Sequence, residues 1–430
     1  MAIESDRRIG TGPMLSDGTL LRDLIDLERR EVSMRVLSDP EIYRLELDKI
    51  FARSWVGVGH EAEIPNAGDF VLRYIGEDPV IVTRTANGEI SILLNVCSHR
   101  GMEVCWADSG NSSTFKCPYH GWTFDGDGQV VGTPFEREMY GDWDKSEYGL
   151  TRARVGLHHG RIFGNFDPQA VSLEEWLGEA AWYIDADYLD GEPEMELCGA
   201  LRRFKVNANW KISADNNSGD NYHGLSLHKS LLDLGFGPPD RRLAMDVVKV
   251  STSMGHGLVG FNKNIMSGDL TYNPEDPAYY KYENYQFTVM MFPATFGLGG
   301  SANNHVPGPD GQPILIVNIG GLVPVAPDRF ELWLGVLVEK RAPEAIKAMM
   351  RKPTLLDIGG VDDMESWPSV QRAARGSLGR RQTLKYNSHS GVRKPEGWPG
   401  PGLVYAGFSQ DDSQWNFWLR WLELMTAGEN

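Results

Sequence analysis

The sequence predicts an α+β protein, with an all-β unit early in the chain and a larger mixed unit after it. Three observations carry this. From about Ile64, the stretch "DFVLRYIGEDPVIVTRTANGEISILLNV" alternates apolar runs with turn residues, and its Asn87-Gly88 pair predicts a hairpin turn with φ > 0 at both positions. Further on, helix-patterned segments such as "SLEEWLGEAAWYI" and "APEAIKAMM" mix with strand-patterned ones such as "FELWLGVLVEK". With 430 residues the chain exceeds one core, since domains hold about 100–200 residues each.

In chain order, "GTLLRDLIDLERREVSMRVL" reads as mostly helical, and residues 1–44 are assigned to a helical segment packing with the larger unit. Residues 45–165 form the all-β unit, where "WTFDGDGQVVG" repeats the strand–turn pattern. Residues 166–430 form the mixed unit. There Ser172-x-x-Glu175 opens a helix as a capping box, and "DDSQWNFWLRWLELM" is a closing helix.

The composition is that of an ordinary globular protein, 41% apolar and 23% charged. No run of 18 or more apolar residues predicts a membrane span. The start "MAIESDRRIGTGPMLSDG" lacks the apolar core of a secretory signal, so a cytoplasmic location is expected. A formal charge of −17 argues against a nucleic-acid partner. Four cysteines make no disulfide framework, and three of them cluster, which points to metal.

That cluster lies in "LNVCSHRGMEVCWADSGNSSTFKCPYHGW", residues 94–122, as Cys97-x-His99 and Cys117-x-x-His120. Each pair leaves one tight loop, and the intervening residues 100–116 can form a hairpin that returns the second loop to the first. Two thiolates and two imidazoles suit a tetrahedral Zn²⁺ or a Rieske [2Fe–2S] centre. Zinc fingers pair Cys with Cys and His with His. Here each loop supplies one of each, as a Rieske cluster requires: thiolates to one iron, imidazoles to the other. Cys105 has no partner for the extra loop disulfide of respiratory Rieske carriers, and Cys105 and Cys198 read as small buried apolar residues.

A second site lies in "NWKISADNNSGDNYHGLSLH", residues 209–228. On a helix Asp220 and His223 share a face, while His223 and His228 splay by about 140°, so meeting on one metal requires a distortion, for which Gly224 is placed. Taken alone, this is equally a helix with two unrelated histidines. A one-electron carrier, however, needs an acceptor, and two His plus one carboxylate on one face hold non-haem iron with open positions. Downstream, "GGVDDMESWPSVQRAARGSLGRR" offers Asp363, with Asp362 as the alternative; alone, "DDMES" also reads as a solvated helix start. His158-His159 precede a strand and point to opposite faces, so they read as structural, and His60, His256, His305 and His389 are isolated.

"CSHRG", "CPYHGW" and "NWKxxxDNxxxDxYHxxxxH" together closely resemble the Rieske non-haem iron aromatic-ring-hydroxylating dioxygenases, large (α) subunit, over nearly the whole chain from about Ile42. One departure is Asp215, where Glu is common in the family; this position is not a ligand. The resemblance implies a β-sandwich cluster domain and a catalytic domain of helix-grip type, an antiparallel sheet flanked by helices. It implies one [2Fe–2S] cluster on Cys97, His99, Cys117 and His120, and one mononuclear Fe(II) on His223, His228 and Asp363. It also implies that Asp220 bridges His120 of a neighbouring subunit to His223, and that Asn216 lines the substrate pocket. The implied reaction is cis-dihydroxylation of an aromatic ring with O₂, in an α₃β₃ assembly with a small β subunit. Electrons would come from NADH through a separate reductase and a ferredoxin; the chain has no G-x-G-x-x-G opening a βαβ unit of its own. Gly359 and Gly360 before the carboxylate favour a bulky aromatic, and the absence of an Arg near the iron motif disfavours aromatic acids. Alternative readings are a Rieske monooxygenase or demethylase, a dioxygenase of an aromatic carboxylate, or a pure electron-transfer or zinc-stabilised binding protein.

Overall fold

The computed structural model describes residues 7–188, 193–229, 233, 245–262, 281, 285–293, 304–352, 355–389 and 391–428. They form two compact units, one spanning residues 51–173 and the other comprising the residues up to 50 together with those from 174 onward. Every strand ladder is antiparallel. No helix among the described residues is long and apolar enough to cross a membrane.

The N-terminal stretch read as helical is mostly not. Two 3₁₀ turns, Leu21–Leu24 and Met34–Leu37, flank the short strands β1 (Ile25–Asp26) and β2 (Glu31–Ser33). Strand β2 pairs with β21 (Thr383–Lys385), and Arg30 takes a left-handed φ of 53°. Pairing with a distant strand overrides the local helical pattern here. The first α-helix is α1, Pro40–Glu46. Asp39 caps it by accepting from the Glu41 N–H, and Pro40 sits in the first turn.

The contiguous unit is all-β. Its strands are β3 (Val56–His60), β4 (Asp69–Ile75), β5 (Asp78–Arg84), β6 (Ile90–Leu94), β7 (Ser109–Asn111), β8 (Thr114–Lys116), β9 (Thr123–Asp125), β10 (Val130–Gly132), β11 (Arg154–His158) and β12 (Arg161–Asn165). They form sheets in the orders β6-β5-β4-β7, β10-β9-β8 and β11-β12-β3 around a core that includes Phe70, Ile81, Phe115 and Trp122. Asn87-Gly88 does turn β5 into β6, but only Gly88 has positive φ (88°). The loop is a turn closed by the Gly88 N–H on the Thr85 carbonyl at 3.0 Å. The two-residue turn with both φ positive occurs instead at His159 (46°) and Gly160 (72°), between β11 and β12.

The second unit is mixed. One sheet runs β17 (Tyr285–Met290), β16 (Gly257–Asn262), β15 (Asp246–Ser251), β22 (Leu403–Phe408). The other runs β13 (Met195–Leu197), β20 (Arg329–Glu339), β19 (Pro313–Ala326), β18 (Asn304–Pro307), with β14 (Arg202–Val206) also on β20. Three helices matter for the site: α2 (Trp210–Asn217), α3 (Leu355–Arg375) and α4 (Asp412–Thr426). The closing helix predicted from "DDSQWNFWLRWLELM" is α4.

Side-chain hydrogen bonds fix α2. Asn209 caps it and accepts from the Lys211 N–H, while the Asn209 N–H donates 2.7 Å to Gln371 on α3. Beneath α2, the fully buried Glu46 carboxylate accepts from the indole N–H groups of Trp210 and Trp421, both at 2.8 Å, and lies 2.6 Å from the buried Lys211 ammonium. This one carboxylate joins α1, α2 and α4. Removing one partner of a buried ion pair leaves the other charge uncompensated, at about 3–5 kcal/mol. Glu46→Gln is therefore expected to lower unfolding stability by about that amount in chemical denaturation. The pair Glu46→Leu with Lys211→Met recovers part of the loss, because no orphan charge remains.

Candidate metal centres

The Cys/His pairs sit on two loops of the same construction. Strand β6 leads into Cys97 and β8 into Cys117. In each loop the Cys N–H donates 2.8 Å to the carbonyl five residues on, Met102 or Trp122. The Gly four residues on, Gly101 or Gly121, donates back to the Cys carbonyl. Both glycines have φ of 75°, and a Cβ on Gly121 would stand 2.7 Å from Pro134, so the turn requires glycine there. The repeated Cys-x-x-x-Gly was a signal that the sequence offered and the reading missed.

Cys97 and Cys117 are buried within hydrogen-bonding reach of each other, and burial, then the neighbouring thiol, pushes the Cys97 thiol up. The His99 and His120 rings meet edge to face at 4.6 Å. His99 stacks parallel on Trp122 at 4.9 Å, and its buried Nδ1 has no hydrogen-bond partner. A buried Cys97 thiol that resists ionisation, a second buried thiol beside it and an orphaned imidazole nitrogen are unfavourable without a cation between them. The donor set fits a metal cluster.

The second site departs from the single helix of the sequence reading. Helix α2 ends at Asn217, Gly219 takes φ 132°, and His223 lies in a separate 3₁₀ turn, Tyr222–Leu225, that contains Gly224. The chain thus breaks before His223 as well as after it. The break brings His223 Nε2 within 3.1 Å of His228 Nε2, with Asp363 Oδ1 at 3.4 and 3.6 Å from the two nitrogens. His223, His228 and Asp363 form a group that could hold one metal ion. Metal–ligand bonds of about 2.1 Å place cis donors about 3 Å apart, close to this spacing. Asp363 Oδ1 is buried and accepts no hydrogen bond, as a ligand oxygen would be before its ion binds.

The other ring nitrogens face carboxylates. His223 Nδ1 lies 3.2 Å from Asp220 Oδ2, and His228 Nδ1 lies 3.3 Å from Asp362 Oδ2. Both carboxylates are placed to accept from Nδ1–H, which would leave each Nε2 lone pair to the shared centre; Asn216 Nδ2 also lies 3.1 Å from His223 Nδ1. Adjacent Asp362 and Asp363 thus face different partners, one the His228 ring and the other the shared centre, a division that no local sequence pattern marks. Asp220 Oδ1 also accepts from the Tyr222 N–H at 2.9 Å, so Asp220 holds the turn as well as the ring.

Asn216 borders a cavity together with His223 and Asp363, and its polar atoms are engaged. Its Nδ2 donates 3.3 Å to Asp220 Oδ2, and its Oδ1 accepts from Trp367 Nε1 at 3.2 Å. Burial pulls the His223 imidazole down, but the hydrogen bond and charge of Asp220, helped by Asp363, hold it above its usual range. Burial likewise pushes the Asp220 carboxyl up, and the hydrogen bonds and charge of His223 together with the charge of Lys249 outweigh it to leave a net lowering. Asp363 is raised, because burial exceeds the attraction of the two histidines.

The remaining histidines have structural roles or none in the site. His60 Nδ1 accepts from the Ala62 N–H at 3.1 Å, and burial drives its pKa down to about 3. His256 is clamped between the Trp176 carbonyl and the Phe292 N–H. His389 is exposed, and the side chain of His305 lies outside the described residues. His158 and His159 do not point apart. The left-handed turn at His159 brings their rings edge to face at 4.8 Å. Cys105 and Cys198 are buried and unpaired, as expected. Gly359 and Gly360 fall on helix α3, and their surroundings lie outside the described residues.

The division of labour between the two aspartates is open to test by iron analysis. Asp363→Ala, His223→Ala and His228→Ala are each expected to abolish iron retention, while the visible absorbance of the cluster is unchanged. Asp362→Ala should keep the site but weaken it, by about 10–100-fold in metal affinity. Loss of iron in Asp362→Ala with retention in Asp363→Ala would reverse the assignment.

Comparison with known proteins identifies both domains. Residues 54–145 match the Rieske [2Fe-2S] domain, and residues 173–306 match the catalytic domain of the ring hydroxylating alpha subunit. The chain is 33% identical to the biphenyl 2,3-dioxygenase alpha subunit of Rhodococcus jostii (strain RHA1), over 97% of this chain and 94% of that one. It is also 33% identical to the N,N-dimethyl phenylurea N-demethylase alpha subunit of Sphingobium sp. (strain YBL2), over 96% of both chains. The fold matches the crystal structure of naphthalene 1,2-dioxygenase from Rhodococcus sp. bound to indole, with a TM-score of 0.78 and 34% identity over 93% of this chain and 95% of that one. An all-β cluster domain, a mixed catalytic domain with antiparallel sheets, and relatives matched end to end place this chain in the Rieske non-haem iron aromatic-ring-hydroxylating dioxygenase family, as a large (α) subunit carrying one [2Fe–2S] cluster and one mononuclear iron.

Proposed function

We propose that the chain is the terminal oxygenase component that cis-dihydroxylates an aromatic hydrocarbon, mono- or polycyclic, with O₂ and NADH-derived electrons. The observation that carries the reading is the His223–His228–Asp363 group, with its unpartnered Asp363 oxygen, in a chain that also has the two cluster loops. The substrate class rests on relatives named for biphenyl, benzene and naphthalene. Cys97 and Cys117 hold one iron of the cluster, and His99 and His120 the other. His223, His228 and Asp363 hold the catalytic iron, which when bound supplies the site for O₂ activation. The cluster domain runs over about residues 45–165 and the catalytic domain over 166–430, a division supported by the compact units that change at residues 50 and 173.

The protein's own groups then have defined tasks. Asp220 and Asp362 hold the ligating imidazoles in one tautomer and orientation. Asn216 fixes Asp220 and is braced by Trp367. Asp220 further links His223 to His120 of a neighbouring subunit and so carries the electron between centres. The partners are a small β subunit in an α₃β₃ assembly, a reductase and a ferredoxin, in the cytoplasm where NADH is available. A second reading, N-demethylation or another monooxygenation, is favoured by the N-demethylase relative.

Product identification separates the two. With reductase and ferredoxin supplied, a panel of mono- and polycyclic aromatics is expected to give cis-dihydrodiols by mass spectrometry and NMR; demethylated products alone would favour the second reading. In the same assay Asp220→Asn should keep cluster and iron, remain reducible by ferredoxin, and lose turnover by about 100-fold or more, since the charge that orients His223 is gone. Mixed oligomers of a His120 variant and a His223 variant should regain part of the activity. No recovery in confirmed mixed assemblies would restrict Asp220 to a local role.

A further inference from the structure

A cavity of about 220 Å³ lies under α2, bordered by His223, Asp220 and Asp363 on one side and by Asp215, Lys211 and Trp418 on another. Its volume and polar groups suit several water molecules. Lys211 is bound to Glu46, but Asp215 has no part in the functions assigned so far.

Asp215 lies deep in the catalytic unit, yet keeps accessible surface where it borders the cavity. Two donors serve its carboxyl group. Tyr386 O–H donates to Oδ2 at 3.0 Å, and Trp418 Nε1–H donates to Oδ1 at 3.1 Å and to the Tyr386 oxygen at 2.7 Å. No cation among the described residues pairs with it. Each oxygen thus has one neutral donor, and the acid proton has the cavity side left to face.

The reaction needs protons. Adding both atoms of O₂ across one ring double bond breaks the O–O bond and forms two C–O bonds. Two electrons from NADH, through the reductase chain, and two protons complete the two hydroxyl groups. We propose that Asp215 stores and delivers one of these protons, passing it through the cavity to the edge formed by Asp220, His223 and Asp363, and regaining it from solvent. The inference rests on the oxygenase reading above, and it holds equally for a monooxygenation, which also consumes two protons.

Electrostatics support it. Burial, then the charge of Asp220, pushes the Asp215 carboxyl up to about 8, while the Tyr386 and Trp418 donors pull the other way. The charged and titratable groups facing it are Asp220 after α2, Asp411 before α4, Tyr386 after β21 and Lys249 on β15. Burial lowers Lys249 itself to about 8, and its ammonium donates to the Gln410 carbonyl. Asp215 therefore favours its protonated form at neutral pH, and the Tyr386 and Trp418 donors offset part of the cost of forming its anion, as suits a donor working near its operating pH.

The test uses the holoenzyme with its electron-transfer partners. In infrared difference spectra against Asp215→Asn, with ¹³C-aspartate labelling, the wild type should show a protonated carboxyl C=O band at pH 7 that disappears above about pH 8. This readout is independent of turnover. Asp215→Asn should retain iron and cluster and be reduced by ferredoxin at the wild-type rate. Its single-turnover product formation should fall by about 10²-fold, the low end of what a placed proton donor contributes, and the alkaline limb of the pH profile should vanish. Tyr386→Phe removes one donor to the anion while keeping the acid, so it should move both band and limb to higher pH. A purely structural role would change stability without moving either. A wild type with no protonated band at pH 7, or an Asp215→Asn enzyme with an unchanged single-turnover rate and pH profile, overturns the proposal. Absence of any oxygenated product from the wild type, with the band present, would instead count against the oxygenase reading.

Discussion

The catalytic unit depends on the buried Glu46 carboxylate. Helix α2 carries Asn216 and leads to Asp220 and His223, and its position is set from below by Glu46 through Trp210 and Lys211, with Trp421 of α4 on the same carboxylate. Interhelical packing alone tolerates small slides. A charged hydrogen-bonded group with three fixed donors does not, because each donor would be left unsatisfied in a water-poor interior. From above, Gln371 and Trp367 on α3 hold Asn209 and Asn216 at the two ends of α2. Histidines and carboxylate come from different parts of the chain, and these contacts bring their nitrogens and oxygen to within 3.1–3.6 Å.

The site is rich in acid. Asp215, Asp220, Asp362, Asp363 and Asp411 lie around it, against the buried Lys249 and a Lys211 that already has a partner. The resulting strains take different forms. Asp363 is raised because burial exceeds the attraction of His223 and His228, Asp220 stays low because its contacts with His223 offset burial, and Asp215 is raised by burial and by its charged neighbour. A divalent ion at the two Nε2 atoms would relieve the first of these. It would leave Asp215 as the acidic group whose proton is not tied to ligand geometry.

The legible parts of the sequence were local ones. Cys97-x-His99 and Cys117-x-x-His120 are complete within two short loops, so their chemistry could be inferred from spacing and residue type alone. The His223–His228 pair needed a break that Gly224 signalled in part, though the larger break fell at Gly219. The doublet Asp362-Asp363 was visible as a source of one carboxylate. The contact of its first member, Asp362, with His228 was not, because it spans 134 residues. The Asp215–Tyr386–Trp418 contacts cross 171 and 203 positions, and no pattern in the sequence encodes them. Helicity was overread before residue 40, where pairing of β2 with a strand some 350 residues away decides the backbone.

The spread of these contacts along the chain has a consequence for biosynthesis. Residues 51–173 form a contiguous unit, and the strands of its sheets have all their ladder partners once residue 173 has left the ribosome. The catalytic unit does not. Trp418, which donates to Asp215, and Trp421, which donates to Glu46, lie in the helix Asp412–Thr426, so α1 and α2 wait for residues translated some 200 positions after α2 itself. Cluster assembly can begin on a nascent chain, whereas the iron site acquires its supports only when that last helix emerges. Shortening the chain before Trp418 would take from Asp215 its indole donor and from Glu46 one of its two, leaving Glu46 only that of Trp210, while sparing the earlier unit.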